Sequence, residues 1–194
     1  MIIVVRHGRT ASNAAGLLLG RLDPPLDDLG VRQAGQVAAV VGPVDVVVSS
    51  PLARTRQTAS AFTTVDGSQV VIDERFIELD YGEWDGSPVS DVDAATWAAW
   101  RADADFAPPG GESLRSVGRR VAEGMEDIAD RWADRTVVVV THVSPVKAAM
   151  IWALRGDDTM SWRAFVAPAS ITRIDVAGGS PRLVSFNECA HLAG

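Results

Sequence analysis

Two runs of β-branched residues, Ile2–Val5 and Thr136–Val140, are almost uninterruptedly apolar, and each is followed closely by a histidine: Arg6-His7-Gly8 after the first, Thr141-His142 after the second. A strand without polar alternation has both faces covered, which points to a largely parallel sheet layered between helices. Further strand-like runs at Val44–Val48, Val70–Ile72, Ile171–Val176 and Arg182–Phe186 are mostly separated by helical stretches. The expected fold class is therefore α/β: a three-layer sandwich with a mostly parallel central sheet of about six strands and helices on both faces. The short link Ala177–Pro181 makes the last two strands a hairpin, which supplies one antiparallel edge strand.

Helix signals fill the gaps. Asp27 or Asp28 caps a helix running to about Val41, stopped by Gly42-Pro43. Ser50-Pro51 places a cap before a proline and predicts a helix through about Phe62. The longest helix follows Gly110-Gly111, with Leu114, Val117, Val121, Met125, Ile128 and Trp132 in one apolar stripe; another begins near Ser144-Pro145 and ends before Gly156. The segment Asp85–Gly111, with Trp97, Trp100 and the Pro108-Pro109-Gly110-Gly111 breaker, reads as an insertion or lid over the active site within a single domain spanning 1–194. Trp97 and Trp100, three apart, read as a packed helix face.

Composition narrows the partners. A net charge of -7 gives no basic footprint for nucleic acid or an acidic membrane, so an anionic ligand must be captured locally. No apolar run reaches the roughly 20 residues of a membrane helix. Cys189 has no second cysteine to pair with, and the opening MIIVVRHGRT lacks a leader pattern, which together lead to the expectation of a cytoplasmic protein.

In an open α/β sheet, ligands gather at the carboxyl ends of the strands, where His7 and His142 stand. Arg54 follows a third strand end, one turn into the helix after Ser49-Ser50-Pro51, and Arg6 adjoins His7. Two arginines and two histidines from three strand ends suit one small anion, phosphate above all. Guanidinium forks match phosphate oxygens, and a neutral imidazole can attack phosphorus while its other nitrogen is held. Set against this are plain structural readings: satisfied histidines at strand ends, and an Arg54 that complements acids on its own helix.

The motifs Val4-Val5-Arg6-His7-Gly8-Arg9-Thr10 with Asn13, Ser49-Ser50-Pro51-Leu52-Ala53-Arg54-Thr55, Glu78 through Gly86, Gly110-Gly111-Glu112-Ser113 and Thr141-His142 stand in one order across nearly the whole chain. In this the chain resembles the histidine phosphatase superfamily, phosphoglycerate mutase-like branch. The resemblance implies that His7 is the phosphorylated nucleophile, that Arg6, Arg54 and His142 surround the transferred phosphoryl group, that Asn13 contacts phosphate and that Glu78 is the general acid and base. It implies neither metal nor cofactor, the arginines supplying the charge. Gly20, Arg21 and the Val143 amide complete the expected binding set, and the expected partner is a small phosphorylated metabolite. Glu78 would have to hold a proton at working pH, favoured by burial or by neighbouring Asp80 and Glu83, which implies an acid-leaning optimum.

The chain also departs from the family pattern: Arg9 stands where relatives commonly carry Glu, Leu19 where a polar residue is common, and Val143 where many have Gly. The Val143-Ser144-Pro145 variant resembles phosphatases of the alpha-ribazole type and, with the short 85–111 region, favours hydrolysis over mutase transfer. Mutase-type phosphoryl transfer and a catalytically weak phospho-ligand binder are the alternatives; a metallohydrolase lacks paired histidine spacing. Arg9 and Arg21 are read equally as substrate contacts or solvated charges, Asp80 and Glu83 as rival proton donors, and His191 as having no role. The strand near Ile171–Val176, read as an apolar edge, offers a route to a homodimer.

Overall fold

The two apolar runs become adjacent central strands. In the computed structural model, which describes residues 1–193, the chain runs β1 (Ile2–Arg6), α1 (Ala11–Ala14), α2 (Asp28–Val41), β2 (Val46–Ser49), α3 (Ala53–Ala59) and β3 (Val71–Ile72). It continues through α4 (Ala94–Ala102), α5 (Leu114–Arg131), β4 (Val137–Thr141), α6 (Val143–Leu154), β5 (Ile171–Asp175) and β6 (Arg182–Glu188). Gly194, the last residue of the expected domain, lies outside the described residues.

The strands form a six-stranded sheet in the order β3-β2-β4-β1-β5-β6. β1, β2, β3 and β4 run parallel, with Ile2 opposite Val137 and Arg6 opposite Thr141, so His7 and His142 emerge side by side. β5 runs antiparallel to β1, and β6 antiparallel to β5. The strand that opposes the others thus lies one in from the rim.

Alternate residues serve opposite faces, as the pleat requires. Ile2, Val4, Val46, Val48, Val137 and Val139 pack with the Leu114, Val117, Val121, Met125 and Ile128 stripe of α5 and with α6. Ile3, Val5, Val47, Val138 and Val140 pack with Val37 of α2 and with Ala59 and Phe62. Asp27 caps α2, its side chain accepting from the Gly30 amide, and Ser113 caps α5 by accepting from Ser116. No helix among the described residues is long and apolar enough to cross a membrane.

Two expectations need correction, and a third segment is described beside them. Ser50 does not cap the helix after β2: α3 starts at Ala53 behind Leu52, which makes no side-chain cap, and ends at Ala59 rather than near Phe62. The Ser50 hydroxyl is engaged elsewhere, as described below. β5 is not an edge, because β1 and β6 flank it, so the strand expected to pair between subunits has no free side. The 85–111 segment is anchored in the core: Trp100 is buried, stacks on Trp97 at 5.4 Å between ring centres, and meets Trp162 edge-on.

Candidate active site

β1 and β4 deliver His7 and His142 with ring centres 5.1 Å apart, both buried. The tight start of this site comes from two glycines packed back to back. A Cβ on Gly8 would strike the Gly30 backbone, and one on Gly30 would strike the backbone of Arg9. The turn after β1 therefore lies directly on the start of α2. The Gly8 amide donates to the Thr58 hydroxyl, which itself donates to the Arg54 carbonyl, fastening that turn to α3.

The His7 Nδ1 lies 2.6 Å from the Gly8 carbonyl. A carbonyl only accepts, so in the neutral ring Nδ1 carries the proton and Nε2 keeps a free lone pair. The ring is held neutral: burial first, then the charges of Arg6 and Arg54, push His7 well below the ordinary 6.5. His142 is lowered likewise by burial, then by Arg54. Its Nε2 is 2.7 Å from the Ser50 hydroxyl, leaving Nδ1 buried and unpartnered.

Both arginines are buried and held by backbone carbonyls. Arg6 donates to Val166, and Arg54 donates to Leu22 at 2.7 Å and Gly20 at 2.8 Å, with Asp23 at 3.9 Å. Burial brings Arg6 down to about 10, against the opposing charges of Glu78 and Tyr81, so it remains cationic at neutral pH. Arg54 is lowered for the same reason, with Glu78 the foremost opposing charge. The Nε atoms of Arg6 and Arg54, like His142 Nδ1, are buried without a partner among the described residues. A buried unsatisfied donor costs about 1–3 kcal/mol, which an anion with several acceptor oxygens would recover.

Glu78 is buried against the first turn of α6. Its Oε1 accepts from the Leu79 and Ser144 amides, and its Oε2 from Val143 at 3.0 Å. The Val143 amide, expected to meet phosphate, is thus occupied by Glu78. Asp80 and Glu83 do not join this carboxylate: Asp80 accepts from the Gly82 amide and lies 3.8 Å from Arg21, while Glu83 is exposed. Asn13 is half-buried and spends its Oδ1 on the Thr10 amide in a capping box. Arg21 lies 3.5 Å from Glu112, and Arg9 is paired with Asp27 at 2.8 Å. The His191 ring lies 2.9 Å from the carbonyl of Ala169, whose amide donates to the His7 carbonyl.

Asp85 was not singled out from sequence, yet its carboxylate accepts three successive amides, Gly20, Arg21 and Leu22, at 2.7–2.8 Å. It shapes the loop whose carbonyls hold Arg54. Its place within the Gly82–Gly86 string was the available signal. Among the described residues no group of three or more His, Cys, Asp and Glu side chains is arranged to hold a metal ion.

The family model described as histidine phosphatase superfamily (branch 1) matches residues 2–189. The chain is 37% identical to phosphoserine phosphatase 1 of Hydrogenobacter thermophilus, over 98% of this chain and 93% of that one. It is 32% identical to a bifunctional protein of Mycobacterium tuberculosis, over 98% of this chain, but spans about half (54%) of that relative's length. Among solved structures, a phosphoserine phosphatase from Entamoeba histolytica in complex with 3-phosphoglyceric acid superimposes with a TM-score of 0.89 at 28% identity, covering 98% of both chains.

Proposed function

The chain belongs to the histidine phosphatase superfamily, and we propose that it hydrolyses small phosphomonoesters through a covalent phosphohistidine on His7. The observation that carries this reading is the fixed tautomer of His7: with Nδ1 turned to the Gly8 carbonyl, the buried neutral ring offers Nε2 as its nucleophile. Two relatives bear the name of phosphoserine phosphatase, which supports a small phosphorylated metabolite as substrate.

In the first half-reaction His7 Nε2 attacks phosphorus in line, the P–O bond to the alcohol breaks, and the phosphoryl group passes to His7. Arg6 and Arg54 bear the charge on the equatorial oxygens, and His142 donates from Nδ1 while Nε2 accepts from Ser50. Glu78 protonates the departing oxygen. Its Oε2 has one amide partner where Oε1 has two, which makes Oε2 the oxygen to carry that proton. In the second half-reaction water attacks the phosphohistidine, Glu78 takes the water's proton, and free phosphate leaves with His7 restored. The two guanidiniums supply the positive charge, so chelators are expected to leave turnover unchanged. Asn13 and Arg21 stand further out and contact substrate only if their present partners give way.

The test is the product and its dependence on His7. Incubation with phosphoserine or 3-phosphoglycerate is expected to release free phosphate, and His7→Ala to abolish it. Isomerised phosphoester without free phosphate would establish a mutase instead, and phosphate binding without any turnover would establish a binder.

A further inference from the structure

The turn 166–170, which leads into β5, is tied to the active site through its backbone. The Val166 carbonyl accepts from the Arg6 guanidinium at 2.8 Å and, among the described residues, is that group's only hydrogen-bond partner. The Ser170 carbonyl accepts from the Arg6 amide at 3.2 Å, and the Ala169 amide donates to the His7 carbonyl at 3.0 Å. Ala169 is fully buried and holds φ at 55°, in the left-handed region that a residue with a Cβ enters only under strain. Such a conformation persists only where surrounding contacts over-determine it.

Those contacts come from the end of β6 and the residues just after it. The Asn187 side chain accepts from the Ala167 amide at 2.7 Å, and His191, in the single helical turn Ala190–Leu192, places its Nε2 2.9 Å from the Ala169 carbonyl. A carbonyl only accepts, so Nε2 carries a proton and donates it. Ala169 is thereby pinned on both sides of its strained backbone, its amide by the His7 carbonyl and its carbonyl by the His191 ring. We propose that His191, read from sequence as having no role, is a positioning residue for phosphoryl transfer: it holds Ala169 in the left-handed conformation and so fixes the turn whose carbonyls aim Arg6. This rests on the reading that His7 receives the phosphoryl group and Arg6 bears its charge. Without the donor, Ala169 is free to relax toward an ordinary φ, and the Val166 and Ser170 carbonyls move with it. A guanidinium anchored by one carbonyl follows that carbonyl, and small misplacements of a charge-bearing group slow transfer steeply.

Removing and restoring the donor isolates this role. His191→Ala should lower both kcat/KM for p-nitrophenyl phosphate and the affinity for orthovanadate, read by calorimetry, by about ten-fold. His191→Gln, which keeps an amide N–H at comparable reach, should retain most of both. Ala169→Gly added to His191→Ala should recover much of the loss, since glycine takes a positive φ without strain. Melting temperatures fix a measuring temperature at which every variant is folded, and a histidine that merely tethers the end of the chain would lower the melting temperature alone. Wild-type values in folded His191→Ala, or a loss that neither the glutamine nor the glycine recovers, overturns the positioning role while the phosphohistidine reading stands. Wild-type turnover with no phosphate transferred to His7 overturns both.

Discussion

A histidine kept neutral by burial remains a nucleophile at pH values where an exposed one is largely protonated. His7 and His142 are both held well below the ordinary 6.5, by burial and then by the neighbouring arginines. The folded state therefore binds fewer protons than the unfolded chain between those lowered values and about 6.5. Stability from this source is fully present above about pH 6.5 and is lost as pH falls toward the folded values; a urea titration from pH 7.5 to 5 should record the decline. The acid limb of kcat/KM, if His7 must be neutral to attack, should likewise lie below 6.5. At this scale His7, His142, Arg6 and Arg54 were legible because strand ends are where α/β sheets place ligand groups. Ser50 and Asp85 were not, since their partners lie 92 and 63–65 positions away and no local pattern records such pairings.

Two segments each owe their position to one carboxylate of their own. Glu78 grips the first turn of α6, where the helix dipole and free amides favour an anion. Glu78→Gln keeps the volume but removes the transferable proton, and should slow hydrolysis by about 10²–10⁴-fold for a poor leaving group and far less for p-nitrophenyl phosphate. Equal losses for both substrates would show that Glu78 only holds the helix. Asp85 plays the corresponding part for the 20–22 loop: Asp85→Ala leaves three amides without their acceptor, for about 1–3 kcal/mol of stability. Because those residues' carbonyls hold Arg54, orthovanadate affinity should fall alongside, measured by calorimetry below the variant's melting temperature. The α5 stripe was readable from its period, whereas the start of α3 was not: Ser50-Pro51 carries the local signature of a helix cap, and tertiary demand for a His142 partner overrides it.

For the molecule as a whole, the mostly parallel sheet and its two covered faces followed from the near-continuous apolar strands, and the antiparallel hairpin from a short link. The place of β5 inside the sheet did not, because strand order depends on which neighbours cover which side. The 85–111 segment read as a lid is built into the core through Trp100 and its stacked indoles. Trp100→Ala should therefore cost about 3–5 kcal/mol of global stability. A loosely attached cover would instead melt away without lowering the main transition, so differential scanning calorimetry separates the two. The chain carries a net charge of -7, yet places two buried guanidiniums beside two neutral imidazoles at the sheet's carboxyl end. That local reversal of sign is what suits the fold to a phosphoryl group. The central claim, phosphoryl transfer to His7, is tested most directly by rapidly quenching the enzyme during turnover of a ³²P-labelled phosphomonoester and mapping the label. An acid-labile, base-stable phosphate on His7 Nε2, absent from His7→Ala, is expected; turnover that proceeds with no label on His7, or that survives in His7→Ala, would contradict it.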